Sequence, residues 1–136
     1  MNHFTMSISA KINFVSAVLV LLLSSSSMSF GQDICPGADV EVATQSFSYS
    51  PATLVVDAGT TVGWVNFGGT HDVNGIASSV TGAAYNNPEA FSLGAISGNA
   101  SGVCLGTFIF TVPGVYNYDC SIGSHAANGM VATLTV

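Results

Sequence analysis

Positive charge is almost absent from this chain. Its 136 residues hold one Lys or Arg, Lys11, against seven Asp and Glu, for a formal net charge of −6. Nothing here can neutralise a run of phosphates, so nucleic-acid binding is excluded. Long apolar runs are missing too. The most apolar stretch, Phe14 to Leu23, falls well short of the ~20 residues that cross a bilayer. Histidine and methionine are scarce, at three and four, and cysteine stops at an odd three. No internal repeat and no helical period occurs beyond residue 31, which leaves strands as the building material.

The apolar stretch has a different use. Lys11 precedes it, a serine-rich segment follows, and Ser29 and Gly31 place small residues at −3 and −1 of a cut before Gln32. A basic start, an apolar middle and a small-residue cut site predict a secretory signal peptide over residues 1–31. The alternative is an uncleaved anchor. Cleavage leaves one domain, residues 32–136, large enough for a single core. All seven acids (Asp33, Asp39, Glu41, Asp57, Asp72, Glu89, Asp119) lie in it and Lys11 does not, so its side-chain charge is −7. The expected location is the periplasm or the extracellular space, with no membrane span after cleavage.

The scarce residues concentrate. His3, Met1, Met6 and Met28 leave with the signal, so residues 32–136 keep two histidines, His71 and His125, and one methionine, Met130. Cys120, His125 and Met130 follow one another at intervals of five. One thiolate, two imidazoles and a thioether are the donor set of a blue-copper electron-transfer site, with the thioether as a weak axial ligand. Zinc prefers several thiolates or several histidines. One type 1 copper per chain is therefore expected, held by His71, Cys120, His125 and Met130. If Cys120 binds the metal, Cys35 and Cys104 remain as a pair for a disulfide, which an oxidising compartment permits. Two buried free thiols are the alternative.

From Ala38 onward apolar residues alternate with polar ones. Runs at 40–44, 53–57, 60–67, 106–112, 115–120 and 130–136 are rich in β-branched and aromatic residues and are divided by Asp57-Ala-Gly59 and Pro113-Gly114. That pattern predicts an all-β antiparallel sandwich. Residues 74–102 read as a long connection with one short strand or helical turn near 89–93, and Asn99-Ala-Ser101 is a glycosylation sequon that matters only in a eukaryotic secretory route. Cys120 ends one strand and Met130 begins the next, with His125 between them. His71 is expected at the end of the strand holding Trp64.

These landmarks resemble the cupredoxin family, in particular its small plastocyanin- and azurin-like members. The residues that carry the resemblance are Phe47-Ser-Tyr-Ser-Pro51, Leu54 through Asn66, His71, Phe110 through Cys120, His125 and Gly129-Met130. The resemblance implies an eight-stranded Greek-key β-sandwich that carries single electrons between redox proteins. It also implies that His125 lies near the surface in an apolar patch, supplied here by Ile122, Ala126 and Ala127. Four residues separate Cys120 from His125, as in azurins and phytocyanins, whereas plastocyanins usually have two. Asp72 stands where the family usually has Asn. Either its anion lies near the metal and lowers the reduction potential, or its oxygens brace the ligand loop by accepting N–H bonds.

Three further function classes fit the chain less well. Copper storage or delivery favours open, Met-rich or paired-Cys sites, which this chain lacks. A copper enzyme needs further histidines for further metal centres. A purely structural sandwich would leave the four donors without a role. The expectation is an electron carrier without catalytic turnover of its own, a monomer, whose redox partners present a basic docking surface to its negative field.

Overall fold

In a computed structural model of the chain, residues 33–136 are described; the signal peptide expected over 1–31 lies outside them. Nine strands follow one another: β1 (Val40–Gln45), β2 (Ser48–Ser50), β3 (Thr53–Val55), β4 (Thr60–Asn66), β5 (Thr70–Asn74), β6 (Ser92–Ser97), β7 (Val103–Phe110), β8 (Val115–Asp119) and β9 (Val131–Thr135). They form two sheets, in the orders β2-β1-β4-β7 and β3-β9-β8-β5-β6. Most neighbours are antiparallel, but β1 runs parallel to β4 and β3 parallel to β9. The all-β sandwich is as the sequence predicts, with nine strands in place of eight. The extra one arises at Pro51, which has no N–H to give a ladder. The chain leaves the first sheet there and resumes as β3 in the second.

The core lies between the sheets. Val42, Val62, Trp64, Val73, Phe110, Tyr116, Tyr118, Met130 and Leu134 are all fully buried or nearly so. Trp64 stands at its centre, with Tyr118 edge-on at 5.7 Å and Phe91 stacked at 6.1 Å between ring centroids. The Tyr116 hydroxyl donates to the Val112 carbonyl at 2.7 Å, a tyrosine-corner bond that ties the turn before β8 to the strand. Strand β8 alternates over Val115–Tyr118, as a strand with one face on the core should, before both Tyr118 and Asp119 are buried at its end. Strand β4 is instead buried over its last five residues, because the Cys35–Cys104 disulfide covers its outer face. A Cβ on Gly63 would come within 2.7 Å of the Cys35 Cβ, so only glycine admits the bridge. The disulfide is formed as paired from the sequence, at a separation of 69 residues.

Two differences from the sequence reading concern the site. His71 does not end the Trp64 strand. It lies on a strand of its own, β5, in the other sheet, and the turn at 67–69 carries the chain across. The connection at 74–102 also contains more order than its composition suggests. Strand β6 begins at Ser92 and pairs with β5, and Asp119 anchors the loop ahead of it. That carboxylate accepts from Asn74 Nδ2, the Ser79 N–H and hydroxyl, and the Tyr85 hydroxyl, at 2.6–2.9 Å. Four donors at one buried carboxylate meet its need for hydrogen bonds. No helix among the described residues is long and apolar enough to cross a membrane.

Candidate metal centre

The β8–β9 connection is built to return on itself. Cys120 N–H donates to the Met130 carbonyl at 3.1 Å, and Met130 N–H to the His125 carbonyl at 3.0 Å. A single 3₁₀ turn at Ala126–Asn128 fills the loop and ends at Gly129 in the left-handed region. Cys120 and Met130 are thereby fixed beside each other at the strand ends, both fully buried in the core, with His125 on the loop above them.

The upstream histidine is delivered by a second device. Buried Asn66 binds the turn that follows it: Nδ2 donates to the carbonyls of Gly69 and Ile96, and Oδ1 accepts from Gly68 N–H, at 2.8–3.1 Å. Gly69 takes φ +75°, and a Cβ there would lie 3.2 Å from His71 Nε2. The glycine thus serves both the turn and the imidazole beside it. Tyr49 adds a third support, its hydroxyl donating to the Asp72 carbonyl at 2.6 Å.

Three donor atoms, one on β5, one just past β8 and one on the loop before β9, then meet. Nδ1 of His71 and Nδ1 of His125 are 3.2 Å apart. Cys120 Sγ lies 3.3 Å from the second and 3.8 Å from the first. The point equidistant from the corners of such a triangle is about 2.0 Å from each, close to the ~2.0–2.3 Å of metal–imidazole and metal–thiolate bonds. The three donors are therefore spaced to hold one metal ion between them. Burial raises the Cys120 thiol above its ordinary pKa, opposed by the backbone amides of Asp72 and Ile122. Burial lowers His71, and the neighbouring His125 lowers it further. A neutral imidazole is the form that binds a metal, and a metal deprotonates the thiol outright.

Asp72 binds Ser121 with both of its carboxylate oxygens. Its Oδ1 accepts the Ser121 N–H at 2.7 Å, and its Oδ2 accepts the Ser121 hydroxyl. Ser121 follows Cys120 and Asp72 follows His71, so one carboxylate ties the two donor loops together. Among the residues expected to form an apolar patch, Ile122 is half-buried and Ala127 exposed, but Ala126 is buried. A surface hollow of ≈ 650 Å³ opens beside the two histidines instead. Gln45, Phe47, Phe67, Thr70 and Ile122 are among its walls, and no charged side chain is. Sequence reasoning gave no role to Asn66, Tyr49, Ser121 or Phe67. Of these, only Asn66 carried a local signal, as a turn-forming residue ahead of Gly68-Gly69.

The two-sheet sandwich and the Cys-His-His centre beside a buried Met define a cupredoxin fold with the donor set of a type 1 copper site. The family model of copper binding proteins of the plastocyanin/azurin family matches residues 37–136, and the chain belongs to that family. Among solved structures, amicyanin from Paracoccus versutus aligns at 23% identity and a TM-score of 0.52, over 76% of this chain and 85% of its own. A point mutant of amicyanin in its reduced state aligns at 25% identity and 0.52, over 76% and 86%. A Cu-containing nitrite reductase from Thermus scotoductus SA-01 aligns at 28% and 0.53, over 71% of this chain but 22% of its own. A search of curated proteins finds no match.

Proposed function

We propose that this protein is an exported carrier of single electrons, in which His71, Cys120 and His125, together with Met130, would hold one copper ion. The observation that carries the reading is the meeting of three donor atoms, one on β5, one just past the end of β8 and one on the β8–β9 loop of the same sheet. Bound copper supplies one electron, taken up and given back between its +2 and +1 states. What the chain supplies is constancy of the site. Cys120 and Met130 are fixed by the β8–β9 hydrogen bonds, His71 by the Asn66 turn, and the two loops by Asp72. Held donors leave little to rearrange when the charge changes.

Catalytic turnover is not part of the proposal. The copper-containing nitrite reductase shares only about a fifth of its length with this chain, and both histidines beyond residue 31 are committed to one group. The partners are redox proteins that meet the uncharged hollow beside His125. The net charge of −7 beyond residue 31 draws basic partners from a distance. Residues 1–31 are the export signal, and the working location is the periplasm or the extracellular space. Voltammetry of the copper-loaded protein tests this directly. A reversible one-electron wave is expected, and an irreversible or absent wave would refute the carrier role.

A further inference from the structure

The β1–β2 turn departs from what a hairpin of its length asks for. Gln45 pairs with Ser48, so two residues make the turn. Both are left-handed, Ser46 at φ 48° and Phe47 at φ 62°. Asn-Gly and Asp-Gly dominate such turns, because a Cβ disfavours that backbone. A bulky aromatic there is a genuine outlier, and strain that persists points to a function. The Phe47 side chain does not explain itself by burial, since it is 46% exposed. Its ring stands edge-on to the His125 imidazole, with centroids 4.7 Å apart and planes at 67°. That is a favoured geometry for two rings.

His125 is the donor most in need of such a contact. It lies on a loop rather than a strand, ahead of a three-residue 3₁₀ turn, and its side chain makes no capping bond. Its other ring neighbour is the second imidazole, His71, at 4.9 Å. Rotation about the His125 side-chain bonds would carry Nδ1 away from Cys120 Sγ. Phe47 comes from the opposite sheet of the sandwich and stands against that ring.

We propose that Phe47 is a positioning residue for His125. The left-handed turn is held so that the aromatic edge fixes the imidazole plane with Nδ1 aimed at the other two donors. The inference rests on the reading of His125 as a copper ligand, but the ring contact itself exists without the metal and is tested separately.

Three variants test it: Phe47→Leu, Phe47→Tyr, and the pair Ser46→Asn with Phe47→Gly, which restores the residues such a turn prefers. In the apoprotein, NMR would follow ring contacts between residues 47 and 125 and the mobility of the His125 ring. In the loaded protein, the rate of copper(I) loss would be followed. The pair variant should melt no lower than the unmutated protein. In it and in Phe47→Leu the His125 ring should gain mobility, and copper(I) should leave about two- to tenfold faster, the range that an aromatic edge contact is worth. Phe47→Tyr should keep the original values. An immobile His125 ring and an unchanged copper(I) rate in both ring-less variants would overturn the proposal, as would a Phe47→Tyr that behaves like Phe47→Leu. If the unmutated protein gave no visible copper band, the copper reading would fail, while the apoprotein ring contact would still decide the role of Phe47.

Discussion

Asp72→Asn separates charge from geometry at the metal site. The carboxylate accepts two bonds from Ser121, one from the N–H and one from the hydroxyl. A carboxamide can keep both, its oxygen accepting the N–H and its NH₂ donating to the hydroxyl oxygen. The loops then stay tied while one negative charge disappears. Oxidised copper bears one more positive charge than reduced copper, so a nearby anion stabilises the oxidised form, and its removal must raise the reduction potential. At separations of about 5–10 Å and effective dielectrics of roughly 20–80, Coulomb's law gives about 0.4–3 kcal/mol for a unit charge. With 59 mV per tenfold change for one electron, that is about 20–130 mV. Asp72→Ala removes both bonds and leaves the Ser121 N–H without its partner. Bonds to a charged group are worth about 1.5–3 kcal/mol each when buried, less where the donor is exposed as Ser121 is, so the alanine variant should lose about 1–3 kcal/mol of stability. Voltammetry and thermal melts on the two variants provide the assay. A potential in Asp72→Asn that falls or does not move would rule out a charge effect on the metal, and an alanine variant as stable as the original would rule out the tie through Ser121.

Other consequences can be measured on the same preparation. Cys35→Ser with Cys104→Ser opens a bridge across 69 residues and should cost about 4 kcal/mol, lowering Tm by about 15 °C or more, while the visible copper band persists. Loss of colour would contradict the separation of disulfide from site. Glu89 accepts from the N–H groups of Val112 and Thr111 and from the Thr111 hydroxyl, and shares the Tyr116 hydroxyl proton with the Val112 carbonyl, bonds that hold its carboxyl at about 2 against an ordinary 4.5. A depressed carboxyl stabilises fully above its unfolded value and fades as pH falls through its folded one. The Tm advantage over Glu89→Gln should therefore shrink between pH 4.5 and 2, and a constant gap across that window would count against the four bonds. Electron transfer to a basic partner should slow as salt rises, because screening cuts the reach of the field to ~8 Å at physiological ionic strength, and an acidic partner should show the reverse. Stopped-flow rates across a salt series check this, and a basic partner that speeds up would contradict it.

Much of this was legible in the chain because local rules and global fold agree. Alternation along 40–44 and 115–120 and the punctuation at Pro113-Gly114 mark strands by themselves. The scarcity of His, Met and Cys left few combinations of donors. What was hidden depended on pairing across the sheets. His71 looked like the end of β4 because the turn that separates them is only three residues long, and nothing in Gly68-Gly69 says which sheet receives the chain. Strand β6, Ser-Leu-Gly-Ala-Ile-Ser, is too rich in small residues to show a strong period, and β5 defines it by pairing. Ala126 looked like surface because it adjoins a ligand, but the 3₁₀ turn tucks it inward. Phe47 could be quoted as a landmark, yet only its backbone torsions and its contact with His125 give it a task.

The proposed electron transfer depends on one thiolate and two imidazoles holding a single copper ion. Titration of the purified apoprotein with Cu(II), followed by visible absorption, tests it most directly. An intense thiolate-to-copper band is expected, saturating at one ion per chain and abolished in Cys120→Ala. A colourless copper complex of the unmutated protein, or a band that survives the loss of Cys120, would contradict it.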